Sequence, residues 1–170
     1  MRLDRNECVL AIIDVQERLM PVIHDDIVPN LLRLIRGAEI LGMPVVVTEQ
    51  YVKGLGRTVE IVREALGERY APVEKLSFSA AEHITQKQVL IAGVETHVCV
   101  YQTALDLLAA GREVWVAADA VSSRTARNRD IGLQRMMSDG ARLSSTEMAL
   151  FELLGVAGTD AFRAISTLVK

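Results

Sequence analysis

Val89-Leu90-Ile91-Ala92-Gly93-Val94-Glu95-Thr96-His97-Val98-Cys99-Val100 is the stretch around which the chain is organised. Its first four residues form a short, wholly apolar run, the pattern of a parallel strand covered on both faces. From Val98 onward the apolar spacing turns helical. A cysteine on the first turn of a helix, just past the carboxyl end of a buried strand, is a place to expect chemistry. The rest of the chain is read for what it could bring to that thiol.

Cys8-Val9-Leu10-Ala11-Ile12-Ile13 is a second unbroken apolar run, ending at Asp14. Asp14 then lies at a strand's carboxyl end, where open α/β sheets place their ligands; capping the next turn is the other reading. Pro21 and Pro29 mark an irregular connection, and Leu31, Leu34, Ile35, Ala38 and Leu41 follow helical spacing up to Gly42. Val45-Val46-Val47-Thr48 is the next strand. Residues 49–56 follow as a loop with two glycines that lines a pocket or simply connects. Thr58 opens a helix through Val62 and Leu66. Ala71-Pro72-Val73 is at most a short edge strand, because proline cannot serve a central ladder, and Lys75 follows it. Ser77-Phe78-Ser79 leads to a short helix through His83. Tyr101, Ala104, Leu105 and Leu108 predict an amphipathic helix. Val114–Ala118 is the fifth strand, with Asp119-Ala120-Val121-Ser122-Ser123-Arg124 after it. A helix from about Arg127 ends at Gly140, Ala141-Arg142-Leu143 is a peripheral strand, and Thr146 caps the helix that follows. Residues 159–170 form a last helix whose face of Phe162, Ile165 and Val169 docks on its own core or on a neighbouring subunit. Strand-helix alternation throughout predicts a mostly parallel sheet with helices on both faces.

The 170 residues suit one domain spanning 1–170. Half of them are hydrophobic, and part of that surplus fits a homo-oligomer interface. A net charge of -3 gives no footprint for nucleic acid. No apolar run reaches the roughly 18 residues of a membrane helix, and the polar N-terminus lacks a signal-peptide core; a cytoplasmic protein is expected. Two cysteines make no disulfide framework. Neither a G-x-G-x-x-G nor a G-x-x-x-x-G-K-[ST] stretch occurs, which argues against dinucleotide and phosphate-loop binding.

Thr96 reads as the N-cap that puts Cys99 at the third helical position, where free N–H groups and the helix dipole lower a thiol pKa. The same N–H groups suit an oxyanion. The competing reading of Cys99 is a small buried hydrophobe. Cys8 lies six residues before Asp14, roughly 20 Å from that strand's end at about 3.3 Å per residue, and reads as structural. Asp14, Lys75 and Cys99 all follow strand ends, so one sheet edge could gather them. Asp14 could accept the thiol proton; a carboxylate beside a thiolate then needs a cation, which Lys75 could supply. Taken singly, Lys75 reads as a surface lysine and His97 as a surface or supporting residue. Asp119 and Arg124 read as a pair or caps shaping the wall of the site.

Together these residues resemble the isochorismatase-like cysteine hydrolases. The matching pieces are Ile12-Ile13-Asp14-Val15-Gln16, Thr48-Glu49-Gln50-Tyr51, Lys75 with Phe78, Gly93 to Val100, and Asp119 to Arg124, in the family's order over nearly the full length. The loop at Thr48–Tyr51 and the Glu95-Thr96-His97 insert are most similar to the isochorismatase domain-containing branch. The resemblance implies a three-layer α/β sandwich with a six-stranded sheet in order 3-2-1-4-5-6. It implies a catalytic triad with Asp14 as base, Lys75 as electrostatic partner and Cys99 as nucleophile. It further implies a non-proline cis peptide at Val94-Glu95 and an oxyanion hole from the Glu95 and Cys99 N–H groups. Gln50, Tyr51, Phe78 and His97 are candidate substrate contacts. Nicotinamidases of the superfamily carry an Asp-x-His metal motif where this chain has Tyr51-Val52-Lys53, so no metal and no other cofactor are expected. The activity implied is a metal-independent cysteine hydrolase acting on a small amide or similar C–N bond through a thioester. A vinyl-ether hydrolase of the isochorismatase type and a non-catalytic scaffold are the alternatives.

Overall fold

The computed structural model describes residues 2–170. Six parallel strands form one sheet in the order β3-β2-β1-β4-β5-β6. They are β1 (Cys8–Ile13), β2 (Val45–Gln50), β3 (Val73–Lys75), β4 (Gln88–Val94), β5 (Glu113–Ser122) and β6 (Arg142–Ser144). β1 and β4 are fully buried, as continuous apolar runs in the middle of a parallel sheet must be. Helices α1 (Val28–Ile40), α2 (Val52–Leu55), α3 (Glu60–Leu66), α4 (Tyr101–Ala109), α5 (Ala126–Ser138), α6 (Thr146–Leu154) and α7 (Asp160–Leu168) complete the chain. Among the described residues no helix is long and apolar enough to cross a membrane.

The alternation of side chains along β1 divides the interior in two. Cys8, Leu10 and Ile12 meet α1, α3, α6 and α7 on one face. Val9, Ala11 and Ile13 meet α4, α5 and the segment carrying Cys99 on the other. Cys8 and Cys99 therefore lie on opposite faces, both free. Burial pushes the Cys8 thiol up to about 12, as befits an inert core residue. The α7 face docks on the chain's own core, with Ile165 fully buried there.

β1 and β4 are neighbours, yet the chain leaves them in opposite directions, β1 toward β2 and β4 toward β5. That is the switch point where such sheets leave a crevice at their carboxyl ends. Gly93 makes the close approach there possible. Its φ is +117°, and a Cβ would stand 2.2 Å from the Ile13 carbonyl oxygen of the adjacent strand.

Several boundaries differ from the sequence reading. β5 does not end at Ala118: after a register shift opposite Ile91–Gly93 it pairs again, Val121 with Gly93 and Ser122 with Val94. Polar Asp119 and Ser122 disguise that second half as a loop. Lys75 is the last residue of β3 rather than a residue beyond it. α3 begins at Glu60, because Thr58 is held in an isolated bridge to Gln16. Ser145, not Thr146, caps α6 by accepting from the Met148 N–H. In α4 the buried positions are Thr103, Ala104 and Leu107, while Leu105 faces out. The segment is apolar on too many sides for spacing to fix its phase.

Gly93→Ala is expected to cost about 3 kcal/mol or more, since it combines a left-handed φ with a backbone clash. Urea denaturation of the variant against the wild type measures it.

Candidate functional site

At the carboxyl ends of β1 and β3 lies a buried ion pair. Lys75 Nζ is 2.7 Å from Asp14 Oδ2, and the two side chains are 1% and 0% exposed. The remaining ammonium protons are used as well: Nζ donates to the backbone carbonyls of Ser77 at 3.1 Å and Phe78 at 2.9 Å. The other Asp14 oxygen accepts from the Thr48 hydroxyl at 2.7 Å. Asp14 itself has φ +50°, an uncommon conformation for a residue with a side chain and one that aspartate tolerates better than most. Its N–H donates to the Thr48 carbonyl at 3.2 Å, so the turn is continuous with β2.

Cys99 arrives from β4 through a π-helical turn, Thr96–Val100, that runs into α4. Here the structure corrects the expected cap. Glu95 is the capping residue, and among the described residues no side chain caps the turn and the buried Thr96 hydroxyl has no partner. The Glu95 carbonyl accepts from the N–H groups of Val98 at 3.0 Å and Val100 at 3.2 Å, stepping over Cys99. The extra residue in the turn thus withholds from the Cys99 N–H the partner it has in an α-helix. The Val94-Glu95 peptide is cis. α5 packs its Gly132 directly against this turn, where a Cβ would lie 3.0 Å from the Thr96 carbonyl oxygen.

The thiol is 4% exposed. Burial pushes its pKa up, the Asp14 charge pushes it further, and Lys75 opposes them without prevailing. The resting side chain is a neutral thiol, contrary to the lowering expected from a helix N-terminus. Burial outweighs the dipole here. Sγ lies 3.8 Å from Gln50 Oε1.

The sequence reading passed over the residues that hold Gln50. Buried Gln16 accepts from the Gln50 N–H at 2.8 Å and donates to the Gln50 and Gly56 carbonyls at 2.9 and 2.7 Å. Glu49, also buried, accepts from the N–H and hydroxyl of Thr58 and from the Tyr70 hydroxyl. Residues 51–57 are clamped at both ends and contain the single turn α2, a wall rather than a loose connection. Gln16 and Glu49 fall within the family-matching pieces, but no spacing assigns them a role or reveals a partner more than 30 residues away for Gln16.

The other candidates are placed as follows. Tyr51 is half-exposed with φ +41°, its ring beside Gly54. The Phe78 ring is exposed while its carbonyl serves Lys75. His97 Nδ1 is 2.9 Å from the Ser123 hydroxyl. Asp119 and Arg124 do not pair with each other: Asp119 accepts from the N–H and hydroxyl of Thr146, and Arg124 holds the Glu95 carboxylate at 3.0 Å. An open groove of about 420 Å³, lined by Tyr51–Lys53 and Glu74–Leu76, runs outside β3 rather than over the thiol. Leu76 and Phe78 put their side chains into solvent beside it.

An aspartate, a lysine and a cysteine converging at the switch point of a 3-2-1-4-5-6 sheet define a class of three-layer α/β proteins. The isochorismatase domain model matches residues 8–148, and the chain belongs to that family of hydrolases. It is 40% identical over 190 residues to a secreted isochorismatase effector of Phytophthora sojae, covering 99% of this chain and 87% of the relative. It is 41% identical over 166 residues to isochorismatase domain-containing protein 1 of Salmo salar, covering 92% of this chain but 59% of that relative's length. Among solved structures, the MAR1 ribonuclease of Caenorhabditis elegans superposes with a TM-score of 0.93 at 36% identity, over 99% of this chain and 92% of that one. YcaC of Pseudomonas aeruginosa, solved with covalent acrylamide, superposes with a TM-score of 0.88 at 26% identity, over 98% and 91%.

Two outcomes are expected. Because its pKa is raised, Cys99 shows no thiolate ultraviolet absorbance between about pH 6 and 9, where a free thiol ionises with a pKa near 8.5; the difference spectrum against Cys99→Ala tests this. Burial alone would raise Glu49, but the hydrogen bonds from Thr58 and Tyr70 outweigh it and hold the carboxyl below its usual range. Its stabilising contribution is therefore complete above the unfolded value of about 4.3 and lost as pH falls through the folded one. Glu49→Gln costs about 1–3 kcal/mol at neutral pH, and the denaturation curves of the two proteins converge as pH falls through the lowered folded-state value of Glu49.

Proposed function

We propose that the protein is a metal-independent cysteine hydrolase that cleaves a small amide or similar C–N bond. The observation that carries this is the convergence of the buried Asp14–Lys75 pair, the Cys99 thiol, and a turn that leaves the Cys99 N–H without its helical acceptor. Cys99 starts as a neutral thiol, so proton transfer to Asp14 accompanies attack. The sulfur bonds to the carbonyl carbon, and the oxygen takes the π electrons against the Glu95 and Cys99 N–H groups. Asp14 returns the proton to the nitrogen, the C–N bond breaks, and ammonia or an amine leaves. A water that gives a proton to Asp14 then attacks the thioester; the C–S bond breaks and the thiol is reprotonated. Lys75 stays charged throughout, held by two carbonyls as well as by Asp14, and keeps a carboxylate tolerable beside sulfur.

The covalent acrylamide in the P. aeruginosa relative is consistent with a nucleophile in this fold. A ribonuclease activity, as the C. elegans relative is named, finds less support here, with a net charge of -3 and a thiol 4% exposed. One observation favours a second reading. A thiol held neutral suits a vinyl-ether hydrolase in which Asp14 is the acid and the sulfur is dispensable. We place the protein in the cytoplasm as a homo-oligomer with a small-molecule substrate.

On a panel of small amides, turnover is expected to fall at least a thousandfold in Cys99→Ala and in Asp14→Asn, and mass spectrometry should find an acyl adduct on Cys99 of the wild type. Amide turnover retained in Cys99→Ala would overturn the cysteine mechanism, and turnover of a vinyl ether retained in Cys99→Ala but lost in Asp14→Asn would favour the second reading.

A further inference from the structure

We infer that the Gln50 carboxamide oxygen accepts a hydrogen bond from the substrate nitrogen, making the site selective for carbonyl compounds that carry an N–H, primary and monosubstituted amides and ureides, over esters and fully substituted amides. This deepens the cysteine-hydrolase reading and rests on it.

Gln50 is buried, 8% exposed, at the end of β2. Its orientation is determined by chemistry: Nε2 donates to the Leu76 carbonyl at 3.4 Å, an atom that can only accept, so Oε1 is the end facing Cys99. Its backbone is fixed on both sides by Gln16, and the next N–H, of Tyr51, donates to the Lys75 carbonyl at 2.9 Å. Among the described residues the donor reaching Oε1 is the Cys99 thiol, at 3.8 Å.

That donor disappears during the reaction. Once the thiol proton has moved to Asp14, Oε1 is a buried acceptor facing an electron-rich sulfur, and a buried polar atom without a partner is costly. Asp14 offers no relief: its oxygens accept from Thr48 and Lys75 and face the sulfur, and it makes no hydrogen bond to Gln50. A substrate N–H fills the gap. The proposed oxyanion donors are the Glu95 and Cys99 N–H groups. A donor pair and an acceptor around one sulfur are complementary to a carbonyl bearing an N–H. The balance of the step is unchanged: C–S forms, C–N breaks, and the nitrogen leaves with the proton from Asp14.

Two alkylating probes of similar size separate the possibilities. Chloroacetamide carries N–H groups and methyl chloroacetate carries none. With either, sulfur displaces chloride, the C–Cl bond breaks as C–S forms, and Asp14 takes the thiol proton. Adducts at Cys99 are followed by mass spectrometry, and each rate is divided by that of the same reagent with glutathione. The normalised rate for chloroacetamide should exceed that for the ester by about tenfold or more in the wild type. The ratio should fall toward one in Gln50→Met, which keeps the chain length and the Gln16 contacts to the backbone but lacks the acceptor. Parity in the wild type overturns the inference whatever the fate of the variant. A ratio that persists in Gln50→Met while both rates drop together also overturns it, by showing a merely structural role. If neither reagent modifies Cys99 and no acyl adduct forms on the amide panel, the cysteine-hydrolase reading itself fails and takes the inference with it.

Discussion

The Asp14–Lys75 ion pair is the constraint on which the carboxyl edge of the sheet depends. Two unlike charges with almost no exposure are tolerated only when every remaining hydrogen-bonding position is filled. The chain fills them by bending. Residues 76–78 turn their carbonyls inward to Lys75 and Gln50, which forces Leu76 and Phe78 to face solvent. Thr48 and the left-handed turn at Asp14 complete the other half. Removing one partner of such a pair costs about 3–5 kcal/mol, whereas a well-packed apolar pair often costs nothing. Stability alone therefore gives little reason to keep these charges; the proposed role of Asp14 as proton acceptor for the thiol gives one.

A second polar layer supports the first without touching sulfur. Gln16 grips the backbone on both sides of the turn at Gln50, and Glu49 holds Thr58, so the wall at 51–57 is fixed from within. Arg124 performs a comparable task at β5, drawing the Glu95 carboxylate aside. Without that, a second carboxylate would be freer to oppose ionisation of the thiol, an effect already present in the Cys99 environment. Exposed Arg124 is thus tied to the site through Glu95 rather than by contact with the sulfur.

How much of this the sequence displays follows from the range of the forces involved. β1 and β4 are legible because burial on both faces demands unbroken apolar runs, and Asp14 and Cys99 because each follows such a run directly. The isochorismatase family is legible because its pieces recur in order, and the family model and relatives bear it out. The 3-2-1-4-5-6 sheet comes with that resemblance, not from periodicity. What stays hidden is set by partners distant in sequence. Gln16 meets Gln50 across 34 residues, and Asp119 meets Thr146 across 27. β5 is misread past Ala118 because its pairing resumes only after a shift that its partner strand, not its own sequence, dictates.

The thiol shows most plainly why local rules and tertiary context must be weighed by magnitude. A helix N-terminus stabilises an anion by about 0.3–1 kcal/mol when exposed and up to about 2 when partly buried. Burial of a fully enclosed ionisable group shifts its pKa by as much as three to five units, at about 1.4 kcal/mol each. Burial wins, and Cys99 rests as a thiol. The π turn then takes on a different meaning from the one a helix dipole suggests. It leaves the sulfur's resting charge unchanged, while passing the Glu95 carbonyl on to Val100 and so sparing the Cys99 N–H. In the proposed mechanism an N–H denied its α-helical acceptor is of value when negative charge appears on a neighbouring atom. In that mechanism anion stabilisation acts on the reacting oxygen, where it accelerates chemistry, rather than on a resting thiolate, where it would lower the nucleophile's energy and slow the attack.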